Sequence, residues 1–155
     1  MKKDILFMKA ALKEAKKAYD IGEVPIGAVI VKDGQIISSA HNTVVESKDA
    51  TAHAEVNAIR AASEKLQTHD LSGCTLYTSA QPCPMCLSAI IWANIKDVYY
   101  ANTKEDADKI GFRDDIIYEY LSGENKELIN IKHMDNEEAI KVFESFAENS
   151  KKVMY

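Results

Sequence analysis

The chain has 155 residues, of which 46% are hydrophobic and 28% are charged, so it can bury one core and is too apolar to stay disordered. Its net charge of −5 argues against a nucleic-acid partner, because binding along a phosphate backbone needs a concentrated positive surface. No apolar run is as long as a signal peptide or a membrane span, so we expect a cytoplasmic protein without membrane contact.

The first part of the chain predicts a long helix followed by a hairpin. Apolar residues recur every three or four positions over residues 3–20, which is typical of an amphipathic helix. Two short β-rich runs, 27–31 and 36–39, flank the segment 32–35, where Asp-Gly is a strong hairpin turn signal. We expect a polar loop over 42–49.

Helices and strands alternate in the rest of the chain. Helices are expected over 53–65, 84–93, 104–110 and 136–149, and strands over 76–78, 98–101 and 129–133. A hairpin followed by such an alternation predicts an α/β protein with a three-layer α/β/α architecture around a central mixed five-stranded sheet. Without linkers or repeats, residues 1–155 are expected to form a single domain.

Two motifs carry the candidate chemistry: His-x-Glu at 53–55 and Pro-Cys-x-x-Cys at 82–86. In this order they are the signature of zinc nucleobase deaminases. Two thiolates and an imidazole suit a tetrahedral Zn²⁺ site whose fourth position stays open to water, and zinc lowers the pKa of that water to about 7. We therefore expect His53, Cys83 and Cys86 to be metal ligands and Glu55 to move protons without binding the metal.

The spacing within His-x-Glu predicts where the metal lies. Two residues on a regular helix diverge by about 200°, so His53 and Glu55 face one metal only beyond the helix end. We therefore predict that two helix N-termini meet at the zinc. The alternative is a structural zinc module, which needs a fourth protein ligand. The remaining candidates have no suggestive spacing: His41, His69, Cys74 and His133.

Two further residues have both an ordinary and a functional interpretation. Asn42 follows the hairpin and is a typical turn residue, but its amide could also read the edge of a base. Trp92 ends the cysteine helix, where it is a core or interface residue or a wall on which a base stacks.

Over almost its whole length the chain resembles the small bacterial-type guanine deaminases of the cytidine deaminase-like superfamily. The matching stretches are 27–34, 51–56, 76–79, 82–87, Gly-Phe-x-Asp at 111–114 and a terminal Lys-Lys-x-x-Tyr at 151–155. The resemblance implies that guanine and water give xanthine and ammonia, with one zinc per subunit. It also implies that Glu55 is the main proton shuttle and that Asp114 helps to protonate the leaving amine or to fix the ring.

The same resemblance implies how the substrate is held. Asn42 and the backbone near Ala54 would bind the purine edge. The C-terminal segment, about 136–155 and ending in Tyr155, would form a helix and a lid over the pocket. In a homodimer this lid could be swapped onto the partner subunit.

Some positions depart from the guanine deaminase pattern. Gln81 stands where these enzymes usually have Glu, and Ile26 stands where they have a Phe that forms a stacking wall. Arg113 lies beside Asp114 and could weaken its charge, and segment 22–27 looks more like tRNA adenosine deaminases. A tRNA adenosine deaminase acting on a flipped anticodon base is therefore an alternative, as are deaminases of guanosine, cytosine or a triazine.

Overall fold

The structure, a computed structural model, describes residues 1–155 as helices on both sides of a four-stranded sheet. The helices are α1 (Lys2–Asp20), α2 (Val44–Ser47), α3 (Ala54–Leu66), α4 (Pro84–Trp92), α5 (Lys104–Lys109), α6 (Asp115–Leu121) and α7 (Glu137–Glu148), with one 3₁₀ turn at Lys126–Leu128. The strands are β1 (Gly27–Lys32), β2 (Gln35–His41), β3 (Thr75–Ala80) and β4 (Asp97–Asn102). The predicted α/β class is confirmed.

The sheet is mixed and has the strand order β2-β1-β3-β4. β1 pairs antiparallel with both β2 and β3, and β3 pairs parallel with β4. Asp33 and Gly34 both have positive φ, 50° and 75°, as a two-residue hairpin turn between β1 and β2 requires. The hairpin predicted from Asp-Gly is therefore present.

Alternate side chains of β1 enter two different cores. Ala28 and Ile30 pack in the cluster that includes Ala54 and Ala58 of α3 and Ile90 of α4. Val29 and Val31 pack on the other face, in the cluster that includes Ala11 of α1 and Tyr77 of β3. The sheet is thus covered by α1 on one face and by α3 and α4 on the other, which confirms the three-layer arrangement.

The close approach of α1 to β1 requires glycine at position 27. A Cβ at Gly27 would lie 2.2 Å from the Ala11 carbonyl oxygen and 2.3 Å from the Ala15 nitrogen. These are backbone atoms of α1, so they cannot move aside as a flexible side chain could. Gly27 therefore sets the distance between the helix and the strand that leads into the hairpin.

Three details differ from the sequence prediction. The sheet has four strands rather than five, because residues 129–133 form no ladder, and a strand needs a paired neighbour to form. The loop predicted over 42–49 contains the short helix α2, and α6 was not predicted. Both helices are too short to show a clear apolar period.

The chain divides into two compact units, Met1–Tyr118 and Glu119–Tyr155. The first contains the sheet and all the residues of the two sequence motifs. In the second, every residue from 126 to 155 is exposed, and Phe143 of α7 is 80% exposed. None of the helices combines enough length and apolar character to span a bilayer.

Candidate active site

Two helix N-termini supply the motif residues. His53 is the N-cap of α3 and Cys83 is the N-cap of α4, both with extended backbone dihedrals. Pro84 occupies the first turn of α4, where its missing N–H costs no hydrogen bond. Because the two helices begin beside each other, His53 comes within reach of Cys83 and Cys86. The prediction that two helix starts meet at the metal site is confirmed.

The three expected ligands have distances that fit zinc. His53 Nδ1 lies 3.6 Å from Cys83 Sγ and 3.5 Å from Cys86 Sγ. A tetrahedral zinc, with Zn–N of ~2.0 Å and Zn–S of ~2.3 Å, places an imidazole nitrogen and a thiolate sulfur roughly 3.5 Å apart. The donor set contains these three residues and no fourth protein ligand. It therefore leaves one position open, as a catalytic site needs, and this argues against the structural zinc module.

The surroundings of Cys83 stabilise its thiolate, the form that binds a metal. Its sulfur accepts from the backbone N–H of Cys86 at 3.5 Å. The hydrogen bond from the Cys86 side chain, followed by the contact with His53, lowers the pKa of Cys83, while the same bond and burial raise the pKa of Cys86. A thiol at the N-terminus of a helix is stabilised in the same direction by the helix dipole. The contact with Cys83 in turn raises the pKa of His53.

Glu55 lies in the first turn of α3 and is only 3% exposed. Its Oε1 has no hydrogen-bond partner in the chain. Burial is the main cause that raises the pKa of this carboxyl to about 7. A carboxyl that gains and loses a proton near neutral pH is suited to general acid–base chemistry.

Asp114 is a second buried carboxyl, 6% exposed, and its Oδ1 also has no partner. Burial raises its pKa, while the charge of Lys104 opposes this effect. Just before it in the chain, the Phe112 ring meets the His53 ring edge-on, with centroids 5.8 Å apart. The segment after α5 therefore brings both a carboxyl and an aromatic wall to the metal ligands.

An open cavity of about 460 Å³ lies beside His53, Cys83 and Asp114. This is within the range of roughly 300–1,000 Å³ that is usual for small-molecule sites. Its lining comprises Val24, Ala50, His53, Cys83, Met85, Ile110, Gly111, Phe112, Arg113, Asp114 and Ile117. The Gly-Phe-x-Asp stretch had already singled out Gly111, Phe112 and Asp114 of this wall, whereas sequence reasoning missed Val24, Ile110 and Ile117. Met85 also carried a signal, because it stands between the two ligand cysteines.

Asn42 is buried, and the structure fixes the orientation of its amide. Its Oδ1 accepts from the Val44 backbone N–H at 3.0 Å. Because a backbone N–H can only donate, the oxygen must face Val44, and the Nδ2 group is the end left without a partner in the chain. The Nδ2 hydrogens of Asn42 are therefore the hydrogen-bonding groups that the chain itself does not use.

Neither Asn42 nor the other expected substrate contacts are among the residues that line the cavity. Ala54 and Ile26 are buried in the core cluster beneath the site. Trp92 is 64% exposed at the end of α4 opposite to Cys83. Tyr155 is exposed in the C-terminal unit.

The structure shows the contacts of two positions that depart from the guanine deaminase pattern, Gln81 and Arg113. Gln81 Oε1 accepts from the Lys104 N–H at 3.0 Å, so Gln81 fixes the start of α5. Arg113 is exposed and lines the cavity beside Asp114. Among the residues considered as a fourth ligand, His41 instead pairs with Glu14 at 2.8 Å, and Cys74 is buried elsewhere.

Comparisons with known proteins agree with this site. Residues 1–102 match the family of the cytidine and deoxycytidylate deaminase zinc-binding region. Guanine deaminase of Bacillus subtilis (strain 168) is 50% identical over 116 residues, 74% of this chain and 74% of that protein. A crystal structure of guanine deaminase from Bacillus subtilis has a TM-score of 0.91 at 42% identity and covers 97% of both chains.

Two adenosine deaminases are also similar. The tRNA-specific adenosine deaminase of Aquifex aeolicus is 53% identical over 95 residues, 61% of this chain and 63% of that protein, so the match spans less than two thirds of its length. The tRNA-specific adenosine deaminase of Buchnera aphidicola is 37% identical over 149 residues, 96% of this chain and 97% of that protein.

The fold and the three-donor site thus define a zinc-dependent deaminase, a hydrolase acting on C–N bonds. The chain belongs to the family of the cytidine and deoxycytidylate deaminase zinc-binding region, within the cytidine deaminase-like superfamily.

Proposed function

We propose that the protein deaminates guanine, converting guanine and water into xanthine and ammonia. The observation that carries this proposal is the similarity to Bacillus subtilis guanine deaminase along 97% of both chains, with a TM-score of 0.91. This similarity extends beyond residue 102, where the matched zinc-binding region ends. The net charge of −5 also favours a small purine over a nucleic acid as substrate.

In the proposed reaction, His53, Cys83 and Cys86 hold the zinc ion. When bound, zinc supplies a Lewis acid that makes a water molecule acidic near neutral pH. Glu55 takes a proton from the water that attacks C2 of guanine. It delivers this proton to the neighbouring ring nitrogen, then takes the second proton from the hydroxyl now on C2 and passes it to the amine, which leaves as ammonia while C2 becomes a carbonyl. A pKa raised to about 7 lets one carboxyl perform both steps at neutral pH.

The substrate would be oriented by Asn42 and by Asp114, of which Asp114 lines the cavity. Asn42 would donate its Nδ2 hydrogens to an acceptor on the purine edge, together with the backbone near Ala54. Asp114 would face the amine that leaves, and its unpartnered Oδ1 is available for that contact. The apolar wall formed by Phe112, Ile110 and Val24 would exclude bulk water and strengthen these polar contacts.

We further propose that the chain acts as a homodimer of single deaminase domains spanning 1–155, with a C-terminal lid formed by 136–155. Support comes from the exposure of every residue from 126 to 155 and from β4, which has a strand neighbour on one side only. A surface of this kind is usually covered by a partner. A cytoplasmic location would keep the cysteines of the site reduced.

A substrate panel tests the proposal. The zinc-loaded protein is incubated separately with guanine, guanosine, adenosine, cytidine and an anticodon stem-loop, and ammonia is measured. We expect turnover of guanine. Turnover of the stem-loop alone would replace this proposal with tRNA adenosine deamination, the second candidate, which the 53% identity to the Aquifex aeolicus enzyme favours.

A further inference from the structure

Glu23 is a buried carboxylate that the site described above does not use. It lies between α1 and β1, is 6% exposed, and pairs with no basic side chain. Its oxygens accept from the Val45 N–H at 3.0 and 3.1 Å and from the Glu46 N–H at 3.4 Å. These donors replace the water that a buried carboxylate would otherwise need. The side chain therefore tethers two segments that are 22 residues apart along the chain.

The tethered segment runs between Asn42, which the proposed function assigns to the substrate, and the expected metal ligand His53. Within it, α2 has only four residues, which is too short for a helix to be stable by itself. The Thr43 N–H donates to the Ala52 carbonyl at 3.0 Å and closes the base of the loop. The rest of the loop therefore depends on contacts from outside it: Glu23 holds the start of α2, and Arg60 donates to Asp49 Oδ2 at 3.4 Å and to Thr51 Oγ1 at 3.3 Å near the loop's end.

A second anchor holds the base of the same loop. The Asn57 Nδ2 group on α3 donates to the His41 carbonyl at 2.9 Å and to Thr43 Oγ1 at 3.1 Å. The loop is thus fixed on one side by Asn57 and on the other by Glu23. The Glu23 side chain contacts none of the metal ligands, whereas the Asn57 N–H donates to the His53 carbonyl at 2.9 Å, so removing the Glu23 carboxylate should leave the metal site assembled.

Asn42 lies between the two anchors. Its N–H donates to the Ile26 carbonyl at 3.0 Å, and its Oδ1 accepts from the Val44 N–H. Val44 directly precedes Val45, the residue whose N–H Glu23 holds with both oxygens. If Val45 and Glu46 were released, Val44 would shift, and the Asn42 amide would lose the contact that fixes which end faces a ligand.

We propose that Glu23 is a positioning residue for substrate recognition: by holding the start of α2, it keeps the Nδ2 donors of Asn42 available to the base. This inference rests on the proposed function in assigning Asn42 to the substrate. It predicts an effect on substrate binding rather than on zinc or on proton transfer, because Glu23 contacts the loop and none of the groups that react.

The test compares Glu23→Ala, Glu23→Gln and, as a control, Glu64→Gln, which changes an exposed glutamate of α3. Hydrogen exchange is followed at the amides of Val45 and Glu46, and kcat, KM and zinc content are measured with the base that the wild type turns over. For Glu23→Ala we expect faster exchange at both amides and full zinc content. We also expect KM to rise about tenfold, equivalent to roughly 1.4 kcal/mol, with little change in kcat.

Glu23→Gln keeps one acceptor oxygen, so its KM should fall between that of the wild type and that of Glu23→Ala. It also serves as the test if Glu23→Ala does not fold. Adding Glu23→Ala to Asn42→Ala should raise KM no further, because both changes remove the same contact. An unchanged KM despite faster exchange, or additive effects in the double variant, would overturn the inference.

The exchange measurement does not depend on which substrate is correct. A wild type that turns over only the anticodon stem-loop would refute guanine as substrate, and the KM comparison would then use the stem-loop. Failure of the guanine proposal and failure of the Glu23 inference would therefore give different results.

Discussion

The side chain of Glu55 combines deep burial with an oxygen that has no partner. Burial of an unpaired carboxyl destabilises a fold, so its presence beside the metal ligands indicates a functional role. Substitution Glu55→Gln keeps the shape and removes the ability to accept a proton. We expect ammonia release to fall about 10³-fold or more, since a positioned acid or base contributes up to ~10⁴-fold. Zinc content, measured by elemental analysis, should stay unchanged.

The control for this substitution is Glu64→Gln, which changes an exposed glutamate of the same helix and should leave both activity and zinc content as they are. A Glu55→Gln enzyme with normal turnover would exclude Glu55 as the proton carrier. Loss of zinc in this variant would instead make Glu55 a ligand, contrary to the three-residue donor set.

Individual site residues can be predicted from the sequence only where a short local motif determines their geometry. His53, Cys83 and Cys86 were predictable because two short motifs at helix starts determine their geometry. The cavity wall was not, because Val24 and Ile117 come from distant segments that share no pattern. Glu23 gave no signal either, since its partners are backbone N–H groups, which every loop contains.

Between elements, Glu14 joins α1 to the end of β2. Its carboxylate contacts His41 Nδ1 at 2.8 Å and Lys17 Nζ at 2.8 Å. Burial alone would raise the pKa of Glu14, but the hydrogen bonds from Lys17 and His41 outweigh it and leave the pKa below its ordinary value of 4.5. The ionised form is therefore favoured by folding.

This shift makes the stability of the helix–sheet contact depend on pH. A carboxyl with a lower pKa in the folded state adds stability above its unfolded pKa and loses it as the pH falls through the folded value. We expect Glu14→Gln to lower the free energy of unfolding by about 1 kcal/mol at pH 7, a modest value because Lys17 is half exposed. In urea titrations the difference from wild type should shrink below pH 4.5.

Glu64→Gln is again the control, and its free energy of unfolding should differ little from that of the wild type at every pH. A Glu14→Gln deficit that persists unchanged into acid would show that packing, and not the ionised carboxylate, accounts for the contact.

Elements were predictable where sequence pattern and tertiary contacts agree. The hairpin was predictable because Asp33 and Gly34 fix its turn locally. The strand expected over 129–133 was wrong because its apolar pattern says nothing about whether a neighbour is present to pair with it. Helix α2 was missed because four residues show no period, and contacts from Glu23 and Asn42 hold its start.

In the molecule as a whole, the C-terminal unit leaves the largest question about assembly. Helix α7 exposes large apolar side chains along its length: Ile140, Val142, Phe143 and Phe146. Such a surface destabilises a lone chain in water, so a second copy that covers it would account for the sequence of α7. The dimer proposed above would cover this surface, and if the C-terminal segment forms the proposed lid, it would close either its own chain's site or the partner's.

Two inactive variants can decide this question together. One is Glu55→Gln with an intact C-terminus, and the other keeps Glu55 but lacks residues 150–155. Each alone should retain zinc and lose most turnover. If each segment closes the partner's site, refolding them together at equal concentration gives mixed dimers with one complete site each. Activity should then recover to about a quarter of wild type, since half of the dimers are mixed. If each segment closes its own site, no mixed dimer has a complete site, and activity stays at the level of the separate variants.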